Sequence, residues 1–545
     1  MISKLNREEL AALEVGHTTV TPGVARGMLF FFLLLIFTVP LWQTLFDDFQ
    51  LPAAVHFQKQ DDQSFTSMVL QWNNQLLESM ADIETEFEER SFLRRLFLVP
   101  GQKVLLLAGY GNEKVYPGKG NWLFYRPDMD YLMGPPFLAA DQLELRRESG
   151  KLWESKIQPD PLLAIRQFKQ QLAERGIELI LMPTPVKASL HPDEFYGAHY
   201  ELPLQNRSWD QFLNALEKEG VQYFDPAEYL ATKRTLGASQ LFLQTDTHWS
   251  PEAMASVAGK LSDFLEDRIK FSGRKSSQQQ KKESITNRGD IDAMLLLPKE
   301  KDPYQEETVQ IQQVVSSKNE LWKSDGDAEI LLLGDSFSNI YSLSGMDWGM
   351  GAGFAEQLSY YLQRPLDCIL QNDAGAFATR ELLAKELAGG KDRLKGKKVV
   401  IWQFATRELS SGDWKEIELE FRERAVSEFY TPASNEERVV SALLTAISSS
   451  PVPGSVPYKD NILTLHITDI RDKQTGEEYG QALVYTWGMK DNHLTSMARI
   501  RTGTRIDLKL IDWDSVQSDY SSYRRSTLED EMLELELPVW GELIQ

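Results

Sequence analysis

Cysteine is almost missing: Cys368 is the only one in 545 residues, which excludes an intramolecular disulfide framework and any cysteine-based metal cluster. It sits in the apolar run LDCIL, where inert packing in a strand is a better reading than a nucleophile. Positive charge is also short, with 58 Lys and Arg against 80 Asp and Glu, a formal net charge of -22 and a pI near 4.9. Phosphate backbones are bound by concentrated basic surfaces, so no nucleic acid partner is expected. A strongly acidic polymer would be repelled at long range unless a local basic groove overrode the field. Histidine is scarce, with seven in the chain, and there is no HExxH or second close histidine; neither a metal site nor a cofactor is expected. What is present is an ordinary globular composition, 42% hydrophobic and 25% charged. That excludes wholesale disorder, and the length suggests two or three folded units.

Residues 27–46 (GMLFFFLLLIFTVPLWQTLF) carry no charge and are long enough, as a helix, to cross about 30 Å of hydrocarbon. Lys4, Arg7 and Arg26 precede the run; Asp47 and Asp48 follow it, and no basic residue returns until Lys59. The positive-inside rule then puts residues 1–26 in the cytoplasm and everything after about 47 outside. Only the weak PAA at 52–54 offers a cleavage site, so an uncleaved anchor is expected rather than a signal peptide. The expected location is the inner membrane, single-pass, with the folded part on the periplasmic or extracytoplasmic side.

Within a membrane-proximal segment at 47–99, Phe65, Val69, Trp72, Leu76, Met80, Ile83 and Phe87 recur in steps of three and four, predicting one long amphipathic helix. Between 100 and 410 short apolar strands alternate with helical stretches, the mark of an α/β domain with a largely parallel sheet. The strands are expected at 177–183, 328–334, 366–371 and 398–404, with helices over 161–176 and 251–269. Residues 271–284 (FSGRKSSQQQKKES) are polar and of low complexity and read as a mobile surface loop. Residues 411–457 read as a helical connection ending in the linker SSSPVPGSVP. Beyond it ILTLHI, QALVYTWGM, SMARIRTG and RIDLKLIDW alternate in twos, predicting a small antiparallel β domain over 458–545. That domain shows no nucleophile; carbohydrate binding, docking and a structural appendage are all open for it.

Two motifs carry chemistry. In AEILLLGDSFSN an apolar strand runs into Gly334-Asp335-Ser336, placing Ser336 at the carboxyl end of a parallel strand, where open α/β sheets bind ligands. Gly-Asp-Ser is also ordinary turn chemistry. In LQTDTHWSPEAM, Asp246 and His248 alternate just before a helix that begins near Pro251. A catalytic serine needs a base for its proton, and the base needs a carboxylate to fix its tautomer. Asp-x-His supplies both, although a helix cap or a satisfied core histidine would leave the same trace. Of the other histidines, His17 falls in the cytoplasmic tail and His56 next to the membrane. His191 and His199 follow a Pro-rich loop, and His466 and His493 lie in the β domain.

Taken with GKGNWLFY (118–125), LMPTPVKASLHPD (181–193), NRGDIDAMLLLP (287–298) and VVIWQFATREL (399–409), GDSFS and DTHW resemble the AlgJ/AlgX-type alginate O-acetyltransferase family. The resemblance covers roughly residues 95–410. It implies an SGNH hydrolase-like domain in permuted order, because Asp246 and His248 precede Ser336. It also implies Ser336 as nucleophile, His248 as base and Asp246 as its orienter. Beside the Ser336 N–H, Gly375 is a candidate oxyanion donor, and Arg407 and Lys187 are candidate substrate contacts. The later strand end WQFATREL lacks the asparagine that SGNH proteins commonly place there. The implied reaction moves acetyl, supplied by a membrane-bound O-acyltransferase, onto hydroxyls of a polysaccharide acceptor. Two alternatives stay open: a carbohydrate acetyl esterase with the same triad, and a non-catalytic polysaccharide-binding envelope scaffold.

Overall fold

The computed structural model describes residues 21–46 and 97–544, apart from short stretches at 150–155, 198–199, 238–239, 274, 298–301, 422–428, 435, and single or paired residues within 452–457 and 529–532. The amphipathic helix expected over 65–87 lies outside the described residues. The chain divides into two compact units, Met1–Ala108 and Gly109–Gln545.

In the first unit, Pro22–Phe46 forms one 25-residue helix and Val99–Leu107 a shorter one. Side chains of the long helix are described without interruption only as far as Leu34, and these are exposed. Among the described residues no helix is long and apolar enough to cross a membrane.

The second unit opens with a hairpin of β1 (Val115–Pro117) and β2 (Leu123–Tyr125) and is built on a five-stranded sheet. Across that sheet the strands are β4 (Gln222–Tyr223), β3 (Glu178–Thr184), β9 (Val399–Ala405), β7 (Ile330–Gly334) and β8 (Asp367–Leu370). Every neighbouring pair is parallel. Parallel sheets are covered on both faces, so their strands are apolar on both sides. Alternation splits each strand between two cores: Val399, Ile401 and Ala405 of β9 join Ile330, Leu332, Ile180 and Met182 on one face, whereas Val400, Trp402 and Phe404 join Leu331, Leu333, Leu179 and Leu181 on the other. The helix Pro251–Glu266 covers the first face with Met254, Val257, Ala258, Leu261 and Leu265; Pro161–Glu174 covers the second with Ala164, Ile165, Phe168 and Leu172. Both helices open on a proline behind a capping side chain, Asp160 receiving the Leu162 N–H and Ser250 that of Ala253. Cys368 lies on β8 and is half-buried.

One expectation is overturned next to this sheet. Gln278 to Ser284, read as a mobile loop, belong to β5 (Gln278–Asn287), which pairs antiparallel through all ten residues with β6 (Glu307–Ser316). The polar run hides a strand because its face toward the core is carried mainly by the partner: Ile311 of β6 is buried in the core with Val309 against it, and β5 adds only Ile285.

The carboxyl-terminal part is a barrel rather than an open sheet. β10 (Glu437–Ile447), β11 (Asn461–Asp472), β12 (Glu478–Lys490), β14 (Arg505–Asp512) and β15 (Pro538–Leu543) run in the order β11-β10-β14-β15-β12, and β11 pairs with β12 to close the ring. β13 (His493–Leu494) extends β12. Three details differ from the sequence reading. The sheet takes its first strand, β10, from the stretch read as a helical connection. The β12–β15 pairing is parallel. SMARIRTG forms a 3-10 turn at Met497–Arg499 instead of a strand. The barrel core holds Val440, Leu444, Leu463, Leu465, Ile467, Val484, Leu508 and Leu510. A second cluster, with Tyr485, Trp513 and Trp540, includes Leu343 from the α/β part and joins the two.

Candidate active site

Strand β7 ends in Gly334, and the chain turns at Asp335 into the one-turn helix Ser336–Asn339. Asp335 holds this turn. Its Oδ1 accepts from the Phe337 N–H at 2.9 Å and from Gln403 Nε2 at 2.8 Å, and its Oδ2 accepts from the Ala405 N–H at 2.7 Å. Gln403 completes the clamp from β9, its Oε1 accepting from the Asp335 N–H at 3.0 Å and from Ser338 Oγ at 2.7 Å. Ser336 is 5% exposed. It occupies the first helical position, where the N–H has no partner within the helix.

Asp246 and His248 lie, both buried, in a tight reversal before the helix Pro251–Glu266, closed by the antiparallel Phe242–Trp249 bridge and by the Leu243 N–H donating to the His248 carbonyl at 3.0 Å. His248 Nδ1 sits 2.6 Å from Asp246 Oδ1, which also accepts the His248 backbone N–H at 3.1 Å. Asp246 Oδ2 accepts from the Trp348 indole at 2.8 Å and from the Asp290 backbone N–H at 3.0 Å. His248 Nε2 is buried and has no hydrogen-bond partner. The ring of Phe337, the residue after Ser336, lies 4.9 Å from the His248 ring, and the carbonyl of Phe337 accepts from the Trp249 indole at 3.0 Å.

The electrostatics follow this packing. Burial alone would raise Asp246, but the charge and hydrogen bond of His248, with the donors from Asp290 and Trp348, bring it down to about 2. Burial works against a charged His248, yet Asp246 and then Asp290 outweigh both burial and the nearby Arg407, and the imidazole is held above its ordinary pKa. Asp290 is half-buried as a residue, with its carboxylate turned inward onto Thr247: Oδ1 accepts the Thr247 N–H at 2.8 Å and Oδ2 its hydroxyl at 2.7 Å. Loss of water and the neighbouring Asp246 push the Asp290 carboxyl up to about 6.

Asp246, His248 and Asp290 bring potential ligand atoms within 4.8 Å of one another. Each of these carboxylate oxygens already accepts at least one hydrogen bond, and His248 Nδ1 is committed to Asp246. Of these atoms His248 Nε2 alone is without a hydrogen-bond partner.

The remaining sequence candidates separate. A Cβ on Gly375 would stand 3.2 Å from Asp335 Oδ2, so this glycine packs directly against the residue before Ser336. Arg407 leaves the end of β9 and lies over the Phe337 and Tyr125 rings, 5.6 Å from each centre, while its Nη1 donates to Asp128 Oδ1 at 3.1 Å. Lys187 is 1% exposed and spends its ammonium on the carbonyls of Leu123 at 2.7 Å and Gln244 at 2.9 Å. It straps strand β2 (Leu123–Tyr125) to the segment leading into Asp246. His191, discounted in the sequence, accepts the Leu241 N–H through Nε2 at 3.2 Å.

Five residues of the site were not legible beforehand: Asp128, Thr247, Asp290, Trp348 and Gln403. Asp290 lay inside the quoted NRGDIDAMLLLP motif, and Gly289 beside it shows why that motif is glycine-bearing. A Cβ there would meet the Thr245 carbonyl at 2.3 Å and the Asp246 nitrogen at 2.4 Å. The barrel also reaches the site's surroundings, since the Ser521 and Ser522 carbonyls accept from Gln371 Nε2 at 3.1 Å and from Asn339 Nδ2 at 3.4 Å.

These features place the chain in the class of SGNH hydrolase-like domains, as expected from its permuted motifs. The chain belongs to the family described as "SGNH hydrolase-like domain, acetyltransferase AlgX", whose model matches residues 115–406. It is similar to the probable alginate O-acetylase AlgJ of Pseudomonas aeruginosa, 30% identical over 151 residues, which are 28% of this chain and 33% of that protein. The AlgJ of Pseudomonas syringae pv. tomato is 24% identical over 241 residues, 43% of this chain and 56% of that one. The chain thus spans about a third of the length of the first and just over half of the second. Among solved structures, the O-acetyltransferase domain of Pseudomonas putida AlgJ matches 54% of this chain and 92% of its own at 19% identity and a TM-score of 0.41. Pseudomonas aeruginosa AlgX matches 74% and 88% at 15% identity and 0.39.

Proposed function

We propose that this protein is an O-acetyltransferase that moves acetyl groups onto hydroxyls of an envelope or exported polysaccharide through Ser336, His248 and Asp246. One observation carries the reading: a buried imidazole with Nδ1 committed to a carboxylate and Nε2 unpartnered, packed against the residue that follows Ser336. A base prepared in this way has one nitrogen fixed and the other available for a proton.

In the first half-reaction His248 Nε2 takes the Ser336 hydroxyl proton as Oγ attacks the acetyl carbonyl, then returns that proton to the departing alcohol, leaving acetyl on Oγ. In the second, His248 takes the proton of a sugar hydroxyl, which attacks the acyl carbonyl, and the proton passes back to Ser336. The N–H of Ser336, and that of Gly375 beside Asp335, are the donors we assign to the developing oxyanion. Asp246 stays ionised and stabilises the imidazolium.

The same proposal covers the setting. An inner-membrane anchor with the catalytic part on the periplasmic side rests on the sequence alone, on the uncharged run 27–46 between Lys4, Arg7 and Arg26 and Asp47 and Asp48, most of whose side chains beyond Leu34 lie outside the described residues. The donor is a separate membrane-bound O-acyltransferase, and the acceptor is a glycan. The acidic charge of the chain favours a weakly charged acceptor over alginate. Purified full-length protein should release acetate from an activated acetyl ester and acetylate an oligosaccharide. Persistence of both activities in Ser336→Ala would refute the reading.

A further inference from the structure

Two polar groups beside the nucleophile turn have no part in the acyl transfer described above. Asp128 lies in the first turn of the helix Arg126–Met133, with its side chain 1% exposed. Its Oδ1 accepts from Arg407, while its Oδ2 is buried without any hydrogen-bond partner. Arg407, 15% exposed, is the more accessible member of the pair. Burial pushes the Asp128 carboxyl up against the pull of Arg407, and Lys187 and His248 also act on it, so it stands within electrostatic reach of the catalytic imidazole. A guanidinium offers five N–H donors and a carboxylate accepts through both oxygens. An ion pair that served stability alone would spend both oxygens, because a buried acceptor left unsatisfied is costly. Here an unspent acceptor lies beside a guanidinium that packs on the ring following Ser336.

We propose that Asp128 and Arg407 form the subsite for the acyl acceptor and select a sugar with two adjacent hydroxyls. Arg407 donates to one hydroxyl oxygen, and Asp128 Oδ2 accepts the hydrogen of the neighbouring one; the ligand enters along Arg407. The pair carries no net charge, so it fits an uncharged sugar, and a sugar carboxylate set against Asp128 would be repelled. This inference rests on the acyl-transfer reading and goes beyond it in naming the acceptor chemistry.

The test uses full-length protein with an activated acetyl ester and two acceptors, a methyl hexopyranoside and its derivative with one neighbouring hydroxyl O-methylated. Wild type should acetylate the parent glycoside at least about tenfold better than the methylated one, as expected when a buried acceptor is left unpaired. Asp128→Asn and Arg407→Lys should lose that discrimination, with glycoside acetylation falling further than acetate release. Equal acceptance of both glycosides by wild type, or an unchanged ratio in both variants, overturns the subsite. If both variants lose acetate release and acetylation in equal proportion with a lowered Tm, the pair is structural and the subsite is likewise overturned. Ser336→Ala is run alongside: full acetate release there refutes acyl transfer itself, a failure separate from that of the subsite.

Discussion

The Trp348 indole donates to Asp246 Oδ2 across 2.8 Å, joining residues 102 positions apart in the chain. Trp348 is fully buried, and its bond fixes the oxygen that His248 does not use. Trp348→Phe keeps most of the ring and removes the donor. A hydrogen bond to a buried carboxylate contributes roughly 1.5–3 kcal/mol. Acetyl transfer should fall by about tenfold or more, 1.4 kcal/mol being tenfold in rate, with the folded yield retained. Steady-state kinetics with circular dichroism would check both halves.

Gly289 is required for close approach rather than for backbone freedom, because any Cβ there enters the Thr245–Asp246 peptide. Gly289→Ala should push the Asp290 loop off Asp246 and cost roughly 1–3 kcal/mol, the usual range for overpacking. Activity should drop together with Tm. A thermal melt indistinguishable from wild type would show that the loop yields without strain.

The pH dependence has a definite sign. In the proposed transfer His248 can take a proton only when neutral, and Asp246 and Asp290 raise its pKa, so activity should fall as pH drops through a value above the ordinary 6.5 for histidine. Asp290→Asn removes one of the two charges that favour the imidazolium while keeping groups able to meet Thr247, so the acid limb should move to lower pH. For stability, Asp246 is depressed to about 2, so its contribution is present above the ordinary carboxylate value and is lost as pH falls through about 2. A pH–rate profile of wild type and variant would check the first two statements, and acid unfolding the third.

Gln403 holds the turn into Ser336 through both ends of its amide. Gln403→Leu leaves the Asp335 N–H, the Ser338 hydroxyl and Asp335 Oδ1 short of a partner, at roughly 1–3 kcal/mol for each group left buried and unpaired. Both stability and acyl-enzyme formation should suffer, the second visible as a smaller acetate burst in rapid-quench kinetics.

Much of this was legible from the sequence where one local rule decides. The strand 330–334 is a continuous apolar run, as a strand buried on both faces should be, and 367–370 and 399–405 depart from it only at Asp367 and Gln403, while Asp246 and His248, two positions apart, meet as the Asp246 carboxylate takes both the His248 N–H and its Nδ1. Contacts set by tertiary approach left no such trace. Trp348 and Asp290 reach Asp246 from 102 and 44 residues away, and nothing in WGMGAG or NRGD states that destination. β5 was missed because its core-facing side is supplied mainly by β6, and barrel closure because a β11–β12 pairing and a parallel β12–β15 pairing cannot be read from alternation. Lys187 shows the reverse error. Its place in a resembling motif suggested substrate, whereas its ammonium is spent on two backbone carbonyls.

The central claim is that Ser336 carries the acyl group. Intact-mass and peptide analysis of full-length protein quenched during turnover of an activated acetyl ester tests it most directly. A single acetyl should appear on the peptide containing Ser336, should be lost when glycan is added, and should be missing from Ser336→Ala. Acetate release continuing at the wild-type rate in Ser336→Ala, or the acetyl group found on another residue, would contradict it.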